Sequence, residues 1–179
     1  MRRRASFVAR FLVAFALLIA LGWLSDAPRH YARLLAACAR LASPPLTGWW
    51  LEDRTGTRGA ELWFRHAGGE LRLLLSLESL ALGLLPLLAL LSATPGMGFR
   101  RWGAAALIGG GALFALDLVV VLLYPLLVST RNALTDITGT FLGLLTFVGG
   151  PIILWFVLTF DQLRHVWRLD PGQSRAPRA

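Results

Sequence analysis

GAAALIGGGALFALDLVVVLLYPLLV, residues 103–128, carries one charged side chain, Asp117, in an otherwise apolar run. Coiled as a helix at about 1.5 Å per residue it reaches about 39 Å, enough to cross a hydrocarbon core of about 30 Å. The runs at residues 138–160, 77–93 and 7–24 have the same character. Together they predict a mainly α membrane protein, a bundle of four transmembrane helices. Composition agrees: of 179 residues 56% are hydrophobic and 16% charged, with a mean hydropathy of +0.61, too apolar for a soluble domain of this size.

Charge sets the orientation. Met1-Arg2-Arg3-Arg4 precedes the first run and places the N-terminus in the cytoplasm, with Arg10 close enough to that end to snorkel. Arg100 and Arg101, beside Trp102, mark the loop at 94–102 as cytoplasmic, and Arg164, Arg168, Arg175 and Arg178 do the same for the tail. The expected organisation is therefore a cytoplasmic N-terminus and first span (1–24), an extracytoplasmic segment (25–76), spans at 77–93, 103–128 and 138–160, and a basic cytoplasmic tail (161–179) whose end, 171–179, reads as disordered. A bacterial inner membrane is the expected location. A cleaved signal peptide is the rival reading of the first run, on Ser25-Asp26-Ala27; the length of the run and Pro28 weigh against it. The seven arginines between Arg29 and Arg72 are offset by Asp26, Glu52, Asp53, Glu61 and Glu70, in a segment long enough for the charge rule to weaken.

The net charge of +8 comes from 18 basic residues, all arginine, and raises a nucleic-acid reading. Their scatter along loops and ends argues against it and favours anionic lipid headgroups. Cys38 is the sole cysteine, so no intramolecular disulfide or cysteine-rich metal site can form. It reads as a small apolar residue on a helix face, with a reactive thiol or lipid attachment as the alternatives.

Within the outer segment, residues 26–42 repeat with helical period. Asp26 is the expected N-cap, Pro28 falls in the first turn, and Ser43-Pro44-Pro45 is the expected stop. Tyr31, Leu34, Leu35, Cys38, Leu41 and Ala42 fall on one side and Arg29, Arg33 and Arg40 nearly opposite. Such a helix lies on the membrane surface with its arginines toward phosphates, or packs on a small outer domain. Three short antiparallel strands follow at 48–53, 60–66 and 70–76, with turns at 55–59 and at Gly68-Gly69. Leu62, Phe64 and His66 share one face of the middle strand, and Glu61, Trp63 and Arg65 the other. Too small to stand alone, the sheet needs the helix or the bilayer against it. Trp49, Trp50 and Trp63 suit either a headgroup anchor or a small core.

Asp117 is the most informative single residue, since a carboxyl inside a span must be paired, protonated or turned to a polar cavity. It is expected to face into the bundle, on the small-residue side of Gly103, Ala106 and Gly110. A packing or assembly role, a proton or substrate role, and an outward lipid-facing position are the readings open to it. Gly139, Gly143, Thr146 and Gly150 line one side of the fourth span as a packing seam with a Gly-x-x-x-Gly unit, and Pro151 is expected to bend it. Glu78 lies about 10 Å above Asp117 by helical rise, too far for an acid and base pair. Arg131, Asn132, Thr135 and Asp136 are the expected polar neighbours of these carboxyls.

Other chemistry is not indicated. His30, His66 and His165 lack metal-ligand spacing. Gly109-Gly110-Gly111 has no Lys-Ser/Thr companion to form a phosphate loop, and no nucleophile, base and acid set shares one depth. No cofactor, metal or catalytic residue is expected.

The layout of a basic N-terminus and one span, an outer amphipathic helix with a β-hairpin, and three close spans beginning at SLESLALGLLPLLALL (76–91) resembles the small membrane proteins associated with exosortase H. These accompany a transpeptidase-like enzyme of bacterial protein sorting. The resemblance covers most of the chain and rests on architecture. It implies a non-enzymatic accessory role beside such an enzyme, with the lipid bilayer and another integral membrane protein as partners. No functional residue carries over, because Cys38 has no exosortase-like catalytic context. The alternatives are a small transporter or channel subunit using Asp117 as a proton or cation site, and an intramembrane enzyme uniting Asp117 with Glu78 or the 131–136 loop.

Overall fold

A computed structural model describes residues 2–56, 59–66, 68–72, 77–130 and 132–166. Its elements in chain order are helices α1 (Arg2–Leu24) and α2 (Ala27–Thr47), strands β1 (Trp50–Gly56), β2 (Gly59–His66) and β3 (Gly69–Arg72), then helices α3 (Leu77–Leu80), α4 (Leu84–Ala93), α5 (Phe99–Ser129), α6 (Ala133–Leu144) and α7 (Gly150–Val166). A 3-10 turn, Ala81–Gly83, joins α3 to α4, and a π-helical turn, Leu145–Gly149, joins α6 to α7. Among the described residues three helical stretches are long and apolar enough to cross a membrane: Ser6–Leu24, Phe99–Ser129 and Ala133–Arg164. Leu77–Ala93 is apolar but shorter.

Both long stretches exceed their expected bounds. Arg100 and Arg101 join the first turn of α5 instead of standing in the loop before it. The expected loop at 129–137 shrinks to a few residues because Asn132 caps α6: Thr135 N donates to Asn132 Oδ1 at 2.9 Å, and Asn132 N donates to Thr135 Oγ1 at 3.0 Å. Pro151 explains the π turn. It has no N–H and its ring would crowd the carbonyl four residues back, so the ladder widens over the preceding turn.

Helix α2 departs from expectation at both ends. Asp26 is left-handed (φ 51°, ψ 22°) with no side-chain capping bond, and instead lies 3.6 Å from Arg29. Ser43-Pro44-Pro45 does not stop the helix, which runs on to Thr47 and closes at Gly48 (φ 71°). Two hydroxyls hold this overrun together. Thr47 Oγ1 donates to the Ser43 carbonyl at 2.8 Å, and Ser43 Oγ donates to the Trp49 carbonyl at 2.8 Å.

The buried side of α2 is also rotated from the expected one. Ala32, Leu35, Ala36, Ala39 and Ser43 are buried, while Leu34 and Leu41 are 58% and 81% exposed. At about 100° per residue, Arg29, Arg33 and Arg40 lie roughly a quarter-turn from that face, on its flank. The arginines are exposed, but Leu34 and Leu41 occupy the position opposite the core.

The sheet is an antiparallel meander in the order β1-β2-β3. Leu51, Phe64 and Leu71 sit across from one another in its register, so the three strands put one apolar row on one face. Phe64 is fully buried and stacks on Tyr124 of α5 at 6.1 Å. Arg65, on the other face, bonds Glu70 at 2.7 Å and Glu52 at 3.4 Å. Gly69 pairs with His66 as the first residue of β3, so the strand begins one position earlier than a Gly68-Gly69 loop requires. The expected turn residues Thr57 and Arg58, strand residues 73–76, Arg131 and the tail 167–179 lie outside the described residues.

Two cores result. At the sheet end, Ala32, Leu35, Ala36, Ala39, Leu51, Phe64, Leu77, Leu80 and Val121 pack together. At the arginine end, Leu87, Leu91, Ala105, Leu113, Trp155 and Leu163 form the second. There the Trp155 indole donates to Thr94 Oγ1 at 2.9 Å, tying α7 to the end of α4. Helix α4 is central to this half, with α1, α5 and α7 against it.

Candidate functional site

Asp117 lies where the two cores meet. Its side chain is 1% exposed, on the inward face of α5 between Leu113 of one core and Val121 of the other. The inward orientation agrees with the cost of leaving a carboxyl in an apolar environment. Its partner is one that helical spacing within α5 could not reveal: Tyr31, from the first turns of α2, donates its hydroxyl to Asp117 Oδ2. Phe114, one turn earlier on α5, meets the Tyr31 ring edge-on at 5.5 Å.

Burial, then the hydrogen bond to Asp117 and its charge, push the Tyr31 phenol above its ordinary value, so the hydroxyl keeps its proton and acts as donor. Asp117 Oδ1 has no hydrogen-bond partner among the described residues. Thr146 Oγ1, in the π turn, is likewise buried and unpartnered among them. Two polar atoms with open valence therefore lie within the helical bundle. Chemically they can accept a hydrogen bond, a proton or a small cation; neither is placed as a nucleophile.

The remaining candidates are dispersed. Glu78 faces Arg29 at 3.8 Å at the sheet end and does not join Asp117. Asn132 and Thr135 are engaged in the α6 cap, which leaves them unavailable as Asp117 partners. The ring of His66 lies 5.0 Å from that of Trp49. Cys38 is half-buried on α2. Among the described residues no group of three or more His, Cys, Asp and Glu is placed to hold a metal ion.

The glycines separate into two sets. At Gly139, Gly143 and Gly103 an added Cβ meets nothing within 4 Å, and at Gly110 only Leu84 at 3.7 Å, so among the described residues nothing packs against the Gly-x-x-x-Gly unit. Close approach occurs at Gly83, where a Cβ would stand 2.8 Å from the Thr146 carbonyl, at Gly109, 2.9 Å from Leu87, and at Gly150, 2.6 Å from the Leu145 carbonyl. Gly150 was in the expected seam; Gly83 and Gly109 had no spacing signal to mark them.

No known protein family, curated protein or solved structure matches this chain.

Proposed function

We propose that the chain is a four-span membrane protein of the bacterial inner membrane whose outer helix and sheet serve as a docking platform for another integral membrane protein, in a non-enzymatic accessory role. The observation that carries this reading is the joint between the outer unit and the bundle. Tyr31 bonds Asp117, and Phe64 stacks on Tyr124, so α2 and the sheet are fastened to one membrane helix at two heights. A load or partner on the outer unit is thereby transmitted to the spans. With Arg101 at the cytoplasmic boundary, Asp117 stands about 24 Å along the helix, within about 6 Å of the outer edge of a 30 Å core. The rest of α5 then rises out of the bilayer as a post for the sheet.

The open side of α6 supports an intermolecular partner. Leu134, Ile137, Phe141 and Leu144 are 61–72% exposed along one flank, and on the opposite flank Gly139 and Gly143 are free for a second helix to approach. A membrane enzyme of the exosortase type is the partner class that the architectural resemblance implies. Copurification of the tagged chain with a sortase-like enzyme in mild detergent tests the reading. Normal processing of C-terminally anchored substrates in a deletion strain would overturn that partner assignment.

Asp117 Oδ1 and Thr146 Oγ1, both without a hydrogen-bond partner among the described residues, favour a second reading, a transporter or channel subunit with Asp117 as proton or cation site. Asp117→Asn keeps an oxygen for Tyr31 and should abolish flux in proteoliposomes at unchanged folded yield. Flux equal to wild type removes this alternative.

A further inference from the structure

A cleft of about 340 Å³ opens at the junction of α1, α2 and α3, lined by Gly22, Trp23, Asp26, Arg29, Glu78 and Leu82 among others. Among the described residues its charged wall holds two carboxylates and one guanidinium. Arg29 sits 3.6 Å from Asp26 and 3.8 Å from Glu78, all three side chains being 41–63% exposed, so these are loose contacts that a ligand can enter. Its apolar wall is Trp23, 83% exposed, and Leu82, 49% exposed. The size lies at the lower end for small-ligand sites, about 300–1,000 Å³.

We propose that this cleft binds the headgroup of an aminophospholipid, an ethanolamine phosphate on a diacylglycerol. The inference rests on the membrane reading above, which puts the cleft at the outer bilayer surface, where α1 ends at Leu24 and α3 begins at Leu77. The ammonium group is received by Asp26 and Glu78, and the phosphate by Arg29. An acyl chain descends along Trp23 and Leu82. Two acids against one base leave the cleft with a net charge of −1, although the chain as a whole carries +8. A purely anionic headgroup meets one attractive and two repulsive charges there, whereas a zwitterion with a primary ammonium satisfies both signs. A primary ammonium also donates hydrogen bonds to carboxylates, which a trimethylated one cannot. A choline group is better held by a cage of several aromatic rings, and Trp23 is the sole ring among the described residues lining this cleft.

Native mass spectrometry of the delipidated full chain in detergent, titrated separately with short-chain phosphatidylethanolamine, phosphatidylglycerol and phosphatidylcholine, tests the proposal. Each exposed contact is worth a factor of about 2 to 5, so two acids should give the ethanolamine lipid about a tenfold preference. The pair Asp26→Asn and Glu78→Gln should reduce that preference to within about twofold, and Arg29→Gln should weaken all three lipids. Gly22→Leu provides a second, charge-independent variant. Gly22 lines the cleft and an added Cβ there meets nothing within 4 Å, so a larger side chain should narrow the cleft without straining the backbone, and binding should weaken for all three lipids. Equal or tighter binding of the glycerol lipid, a preference that survives the double neutralisation, or binding unchanged by Gly22→Leu overturns the site. Failure of the membrane reading looks different: the chain would be recovered from the soluble fraction without detergent.

Discussion

Removing the Tyr31 hydroxyl is expected to loosen α2 and the sheet from the bundle, and a double-mutant cycle can isolate the bond. Tyr31 is the hydrogen-bond donor to Asp117 among the described residues, and Asp117 is 1% exposed with its other oxygen already unpartnered. Tyr31→Phe therefore leaves a buried carboxyl with neither oxygen partnered among the described residues, at a cost of about 1–3 kcal/mol for a buried group left unsatisfied. Averages for hydrogen bonds between membrane helices, about 0.6 kcal/mol, set the lower bound. Asp117→Leu strands the half-buried phenol instead and should cost about 1 kcal/mol. Tyr31→Phe with Asp117→Leu removes both polar groups at nearly conserved shape, so the double variant should lie close to wild type. The assay is reversible unfolding of purified chain in mixed micelles, followed by helicity. A double variant whose loss equals the sum of the singles, to within about 0.5 kcal/mol, refutes the reasoning, because two groups in contact cannot be additive.

The same phenol gives a pH dependence. Its value is raised in the folded chain, so the stabilisation is complete below the unfolded value of about 10 and declines above it, at most by about 1.4 kcal/mol for each pH unit; Tyr31→Phe should flatten that alkaline limb in pH-dependent unfolding. Gly83→Ala drives a Cβ to 2.8 Å from the Thr146 carbonyl, a backbone atom that cannot swing away. It should cost about 1–3 kcal/mol, whereas Gly139→Ala and Gly143→Ala, in open space, should be neutral or stabilise by up to about 1 kcal/mol in the same assay. Trp155→Phe deletes a buried 2.9 Å bond to Thr94 and should lower stability by about 1 kcal/mol or more in thermal unfolding. Arg65→Gln, on the exposed sheet face, should shift the unfolding midpoint at low salt and lose its effect at high salt, where its pairs with Glu52 and Glu70 are screened.

The long apolar helices were legible because length and charge exclusion are severe requirements that leave a plain record in sequence. Their ends were not: Arg100 and Arg101 stand in the first turn of α5 although their charge opposes the helix dipole there, and Thr135 joins the first turn of α6 once it completes the cap with Asn132. Asp117 was legible as an inward residue, because exposure of a carboxyl to apolar surroundings is costly in any fold. Its partner was not. Tyr31 lies 86 residues away, and helical period places it with Leu34 and Leu41, both of which turn outward. Periodicity weighs apolar residues by size, but the contact between α2 and its neighbours uses Ala32, Ala36 and Ala39, which let the backbones come close. Small residues carry little hydrophobic signal and much packing consequence.

The same distinction governs the glycines and explains why one helix serves two cores. Gly139 and Gly143 have the familiar spacing but nothing against them, while Gly83, with no motif, has the carbonyl of Thr146 at van der Waals limits. That carbonyl stands where it does because Pro151 forces a π turn, and Gly150 permits it: a Cβ there would be 2.6 Å from the Leu145 carbonyl. The widened turn turns Phe147 toward the sheet-end core while Trp155, two turns later, enters the other. Asp117 and Thr146 are both buried in this region of the bundle. A polar pair such as Tyr31 and Asp117 contributes little net stability compared with an apolar filling of the same shape. What it supplies is register. Apolar contacts are not directional, whereas a single phenol that must reach a single carboxyl group fixes the height at which α2 and the sheet meet the bundle.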